Sequence, residues 1–327
     1  MKKGLLIGTM LLGAASFSLL TGFDSALTAE DVLNKTQEVS SSMNEISADA
    51  QMAIDLTANV TSPMISLDLQ AGLNADYSIA CTLDPFAMCV DGVMSGSFTT
   101  DGETQDMSTA VTEYMVAEGD NMVAYTKFSA DPSNPDGTWA KVTTQSGNLQ
   151  ELMEKARNMT VDYENLPFSY TLAEAPVTVN GRECYQLNAV MTLDELMLIV
   201  QPYLNDIGDT AGVSGDELFA YSSLLSGLQF TYEVYIDTTT FQMIRFRMTT
   251  DGTDWSSIGA NLSSLLSTGE DENQATVNLD VRQFEVTGDY NPDASVSIVV
   301  PEEALNAQEL QENGLSDSLL DLVENAE

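Results

Sequence analysis

The 327-residue chain contains no histidine. That removes His-based general acid–base chemistry, Ser-His-Asp and Cys-His arrangements, and His-ligated zinc from consideration. Positive charge is scarce as well. Eleven Lys and Arg stand against 50 Asp and Glu, a formal charge of −39. A surface of that sign repels phosphate backbones and anionic headgroups, so nucleic acid is excluded as a partner and docking on an anionic membrane is disfavoured. The charge serves solubility, or else a basic partner or bound cations. The sequence has no Gly-x-Ser-x-Gly, no Ser-x-x-Lys and no Gly-rich phosphate loop, the motifs that would announce a hydrolase elbow, an acylating serine or a nucleotide site. No cofactor and no catalytic residue is called for. Carboxylate pairs are too abundant to point to an acid pair of the glycosidase kind.

Cysteine is rare too: Cys81, Cys89 and Cys184. In an exported chain Cys81 and Cys89 are the natural disulfide pair, closing a short loop. Strand alternation opposes this, because it puts Cys81 on an apolar face and Cys89 on a polar one, and a bridge needs Cβ atoms about 4 Å apart. A Cys81–Cys89 bridge and two free thiols both remain open on these grounds, and Cys184 reads as a lone thiol. Asp289, Asn291, Asp293 and Ser295 alternate oxygen ligands, but the glycine and terminal glutamate of a calcium loop are missing. They are read as a solvated loop, with no metal site.

The first 23 residues have the form of an export signal: Met1-Lys2-Lys3, then an apolar run from Gly4 to Leu20, ending Leu20-Thr21-Gly22-Phe23. A bacterial lipoprotein leader carries Cys where Phe23 stands. Phe cannot form the thioether, which argues against a lipid anchor. The expectation is a secreted or cell-surface protein exported through the Sec route, with cleavage after Gly22, Ala26 or Ala29, or with the leader retained as an anchor.

What the chain does have is long period-two alternation. Ile46, Ala48, Ala50, Met52, Ile54, Leu56, Ala58 and Val60 are apolar at every second position. After Pro63 the pattern restarts with Leu67, Leu69, Ala71, Leu73, Ala75, Tyr77, Ile79 and Cys81. Period two puts one set of side chains on one face of a strand, so the stretch predicts a long hairpin, apolar on one face and polar on the other. Strands of ~15 residues span roughly 50 Å, and sheets of such strands twist and curl. Further strands are predicted at Phe86 to Phe98, Met107 to Ala117, Met122 to Phe128, Trp139 to Val142, Phe168 to Leu172, Val177 to Met191 around Asn180-Gly181, Phe230 to Ile236, Ile244 to Met248, Val277 to Val286 with a phase shift that suggests a bulge, and 296–300. Helices are predicted from Thr28 (an N-cap, with Asp31 in a capping-box place) to about Met43, and over 149–159, 193–204, 217–228 and 255–266. The fold class is α+β: a strongly curved antiparallel sheet forming a half-open β-barrel with helices packed on the concave side. Residues 29–301 read as a single domain, followed by an acidic helical or frayed tail over 302–327. Many of the 16 methionines, among them Met52, Met88, Met94, Met122, Met191 and Met248, fall on the inward phase. Methionine is flexible and suits either an adaptable pocket or ordinary core filling.

Several ordered patterns carry a family resemblance: the helix opening Ala29-Glu30-Asp31-Val32-Leu33 behind a lipoprotein-type leader; Gly137-Thr138-Trp139-Ala140-Lys141; Asn180-Gly181-Arg182-Glu183-Cys184-Tyr185; and Ile236-Asp237-Thr238 with Arg245 in the return strand. Together they resemble the LolA/LolB and LppX superfamily of bacterial extracytoplasmic lipoproteins, including its uncharacterised Gram-positive members. The resemblance covers roughly Ala29 to Pro301. It implies a half-open barrel with helices plugging its mouth, carriage of acyl chains or lipoproteins in the better-known relatives, and no catalytic residues. The chain departs from the pattern at Phe23 and in its acidity, both of which oppose a membrane-shuttle role.

The expected function is therefore a non-enzymatic binding protein with an apolar concavity for a lipid or another hydrophobic molecule, lined by Ile54, Leu56, Leu67, Leu69, Met88 and Met94. The alternative is a structural or surface-interaction module with a filled core and no ligand. A hydrolase with two facing carboxylates in a cleft ranks third.

Overall fold

The computed structural model describes residues 27–62, 66–119, 121–129, 137–145, 168–198, 227–267 and 275–309. The leader, the helices expected over 149–159 and 217–228, the end of the one expected over 193–204, and the tail beyond 309 lie outside the described residues.

The alternating hairpin forms as the sequence dictates. Strand β1 (Glu45–Thr61) and β2 (Ser66–Leu83) pair antiparallel over their length, Ile46 against Cys81 and Val60 against Leu67. The meander continues through β3 (Phe86–Thr100), β4 (Glu103–Glu118), β5 (Asn121–Ser129) and β6 (Trp139–Gln145). A second group follows: β7 (Thr171–Leu172), β8 (Val177–Val179), β9 (Arg182–Thr192), β10 (Gln229–Asp237), β11 (Met243–Thr249) and β12 (Thr276–Tyr290). The Asn180-Gly181 turn between β8 and β9 has φ of 52° and 77°, the pair of positive values that a tight hairpin turn matching strand twist requires.

The two groups become one sheet because β12 pairs with β1, Ala48 opposite Tyr290 and Thr61 opposite Thr276. The predicted phase shift is real: Gln283 pairs with Asp55 and Val281 with Leu56, leaving Arg282 as the extra residue of a bulge. With a last short strand, β13 (Gln308–Glu309), one 13-stranded sheet results among the described residues, in the order β13-β6-β5-β4-β3-β2-β1-β12-β11-β10-β9-β7 with β8 beside β9. It curves into a half-open barrel. Its order leaves β13 and β7 at the two ends, so the described sheet does not close on itself.

Helix α1 (Ala29–Ser41) is held at its start by the predicted capping box. The Thr28 hydroxyl accepts from the Asp31 N–H at 3.1 Å, and the Thr28 N–H donates to Asp31 Oδ2 at 2.8 Å. Its Val32 and Leu33 pack on Leu187, Val234 and Ile236. Helix α2 (Trp255–Leu266), capped by Asp254, packs Ile258 on Ala189, Met191 and Phe230. The register places these partners on the same sheet face as the apolar set of β1. Helices thus cover the apolar face of the β9–β12 arm.

Two expected strands come out differently. Residues 296–300 form no ladder. The Val296 N–H is taken by the Glu45 carboxylate at 2.9 Å, and Val300 packs against the cluster of Val123, Tyr125 and Ala304. Of Phe168 to Leu172, only the last two residues pair, while Phe168 and Tyr170 meet edge-on at 5.7 Å and pack into the α2 cluster. Past Pro301, α3 (Glu302–Leu305) docks Ala304 on β5, and β13 (Gln308–Glu309) adds to β6 in parallel. The start of the acidic tail is therefore joined to the sheet.

Candidate functional site

The register resolves the sheet into two faces. The polar face of the β9–β12 arm carries an ion-pair ladder. Arg245 reaches both oxygens of Asp289 at 2.7 and 2.9 Å. Arg247 bridges Glu285 at 2.8 Å and Glu233 at 3.2 Å. Arg182 joins Asp237 at 2.9 Å and also bonds Asp293. The Arg247 guanidinium holds the Glu285 carboxyl below its usual range, against the upward push of burial. Asp289 and Asp293, the acidic members of the alternating loop, thus spend their oxygens on arginines. Among the described residues no group of three potential metal-ligating side chains converges.

On the other face, Ile54, Leu56, Leu67, Leu69, Met88 and Met94 all lie on the apolar side, as read from the alternation, and all are half-buried. They do not form one pocket. Leu67 and Leu69 pair with Val60 and Ala58 near the turn end of the hairpin, with Ile54 and Leu56 next along β1 and Met94 beyond, opposite Ala75. Met88 sits at the far end of β3, between Cys81 and Met115. The methionines Met52, Met88, Met94, Met122, Met191 and Met248 share this face as well.

The two arms are covered very differently. On the β9–β12 arm Leu187, Ile236 and Ile258 are 0% exposed. On the β1–β4 arm burial is uneven: Ala75, Val90, Val111 and Met115 are buried, whereas Ile54, Leu56, Leu67, Leu69 and Met94 toward the turn end are only half-buried, and Phe98 and Met107 there are 44% and 50% exposed. A depression of about 450 Å³ opens at the turn end, but its lining is drawn mainly from the polar phase: Thr57, Asn59, Asp68, Gln70, Asn278 and Asp280.

Cys81 and Cys89 are free. Cys81 is opposite Met88 and Cys89 opposite Ala80, so the two thiols project from opposite faces of paired strands, the objection that the alternation raised against a bridge. Burial pushes the Cys81 thiol up to about 12, and it stays protonated.

One residue of this face escaped the sequence reading. Along β4 the buried positions alternate as Val111, Glu113 and Met115. Glu113 is 9% exposed, and its Oε1 has no hydrogen-bond partner. Burial pushes its carboxyl up to about 7. The signal available in sequence was a lone acid on the apolar phase of a strand.

No protein-family model matches the chain, and no curated protein matches its sequence. Solved structures that are similar in part include the following three. LprF from Mycobacterium bovis is 11% identical, with 83% of this chain and 95% of that one covered and a TM-score of 0.31. A beta-barrel-like protein of the domain of unknown function DUF1849 from Brucella abortus is 12% identical, over 75% and 96% of the two chains, at 0.22. A DUF1329 family protein from Desulfovibrio piger is 9% identical, over 80% and 92%, at 0.18. Scores this low carry no argument about function. No described helix is long and apolar enough to cross a membrane.

Proposed function

We propose that this is a non-enzymatic extracytoplasmic binding protein whose apolar face on β1–β4 takes a hydrophobic ligand of lipid type. The observation that carries the reading is a contrast along one apolar face: it is sealed under α1 and α2, and toward the turn end of β1–β4 it is only half-buried, with Phe98 and Met107 exposed. Fully burying a large apolar side chain is worth about 1.5–3 kcal/mol. A ligand laid along Ile54, Leu56, Leu69 and Met94 gains part of that at each residue it covers. Extended apolar patches on a folded chain mark binding surfaces. The leader ending at Phe23 and the resemblance to the LolA/LppX superfamily support the same compartment and ligand class.

Dodecanol, an uncharged single-chain probe, tests this by titration. The chain is expected to bind it saturably, and Met94→Asp to weaken it about tenfold or more, a carboxylate being costly on a face that the ligand must desolvate. Val93→Asp, one residue along on the polar face, serves as the control and is expected to leave binding unchanged. Absence of saturable binding by the wild-type chain would favour the module with a filled core.

A further inference from the structure

Glu113 is the anomaly of the apolar face. A carboxyl that is nine-tenths buried normally has a hydrogen-bond or charge partner, because burying it unpaired is expensive. Its neighbours across the sheet are Val90 on β3 and Thr126 on β5, and along its own strand Val111 and Met115 share its face. Tyr77 on β2 is close by in register, opposite Gly92, the glycine that pairs with Val111. A Cβ on Gly92 would lie 2.3 Å from the Tyr77 ring, so the missing side chain lets the ring lean over β3 in the direction of β4. The Tyr77 hydroxyl is buried without a partner as well. Two unsatisfied polar groups therefore stand on one apolar face, on β4 and β2, with β3 between them.

The cations of the described chain are elsewhere. Arg182, Arg245 and Arg247 are on the polar face of the other arm. Arg282 bonds Asp55. Lys127 and Lys141 lie over Trp139 and Tyr125, on the face of β5 and β6 opposite Glu113. Lys35 lies over Phe241, at the α1 cluster. An anionic headgroup would meet no counter-charge at Glu113 and would meet the field of a chain carrying −39. An ammonium group would complete the site.

We propose that Glu113, with the Tyr77 hydroxyl on the same face across β3, is the polar anchor of the apolar face, and that the ligand is a single-chain amphiphile bearing a primary amine. This rests on the binding role proposed above and narrows it from hydrophobic ligands in general to cationic ones. The ammonium donates to the Glu113 carboxylate, with charge-assisted hydrogen bonds that are stronger than neutral ones. The alkyl chain runs from there over the neighbouring strands toward Met94. The other titratable groups on this face of β2–β5 are Tyr77 and Cys81, both pushed up by burial and so uncharged near neutral pH, and Glu103, an exposed residue at the turn end of β4. Among the buried groups only Glu113 ionises near neutral pH, so amine affinity rises with pH through about 7 while the amine stays protonated.

The test compares dodecylamine, dodecanol and dodecanoate on the full chain and on Glu113→Gln, with circular dichroism confirming the fold of each. The expected result is wild-type affinity for dodecylamine about tenfold above that for dodecanol at pH 8, little preference at pH 5.5, and the weakest binding by dodecanoate. Glu113→Gln is expected to lose both the preference for dodecylamine over dodecanol and its pH dependence. Non-specific attraction to the acidic surface would survive that substitution, since it removes one carboxylate of many. Equal binding of amine and alcohol by the wild-type chain, or an amine preference unchanged in Glu113→Gln, would overturn the anchor while leaving the apolar site standing. Failure of all three probes would overturn both.

Discussion

Glu113→Gln is expected to stabilise the unliganded protein by about 3 kcal/mol at pH 8 and to change its stability little at pH 4. The ordinary carboxyl value is 4.5, and burial lifts Glu113 to about 7. Below the lower value the folded and unfolded chains both hold the proton; above the higher value neither does. Between them only the folded chain holds it, so the contribution of this residue to stability is undiminished in acid and is lost as pH rises through that window. Every tenfold difference in proton affinity between the folded and unfolded chains is worth ~1.4 kcal/mol, which gives the magnitude. A neutral amide escapes the penalty. The rest of the acidic surface titrates identically in both proteins, so the difference between variant and wild type isolates this site. Urea unfolding at the two pH values measures it. Equal stabilities of variant and wild type at pH 8 would mean that the carboxyl is hydrated or paired in solution, and the argument for an unsatisfied anchor would fail.

Leu187→Ala is expected to cost about 3–4 kcal/mol, in the range for large-to-small changes in a packed core. Leu187 is 0% exposed and sits among Val32, Leu33, Val234 and Ile236, where helix α1 meets β9 and β10. A cavity there cannot be relieved by solvent, and the surrounding strands are fixed by their ladders. Leu56→Ala, at the half-buried turn end of the other arm, removes the same atoms and is expected to cost less, about 1–2 kcal/mol, because its side chain is only partly withdrawn from solvent. Denaturant midpoints of the pair report the contrast directly. Similar costs at the two positions would show that the arms are equally filled, and would favour a structural module over a binding protein.

The sequence carried faces better than partners. Alternation in β1, β2 and β3 put the six candidate residues on one face, Thr28 and Asp31 announced α1, Asn180-Gly181 announced its hairpin, and the phase shift after Val281 announced the bulge. None of these local signals says that β12 pairs with β1. That pairing joins the two groups of strands across more than 200 residues, and period two fixes which way a side chain points without naming its neighbour. The segment over 296–300 shows the same limit, since its alternating valines never join a ladder. Candidate residues were legible as a face and not as a place: nothing in the spacing says that Met88 ends up beside Met115, at the far end of β3 from Leu69. Glu113 was missed because an acid within an apolar phase looks like an interruption of the pattern, when its position between Val111 and Met115 makes it part of the buried face.

Whether the apolar face carries a ligand is decided by native mass spectrometry of the chain purified from the cell that makes it, with organic extraction of whatever it holds. The expected result is a stoichiometric hydrophobic adduct, released by solvent and absent from Met94→Asp. A bare mass that stays bare when the protein is offered long-chain alcohols, amines and phospholipids would contradict the binding role.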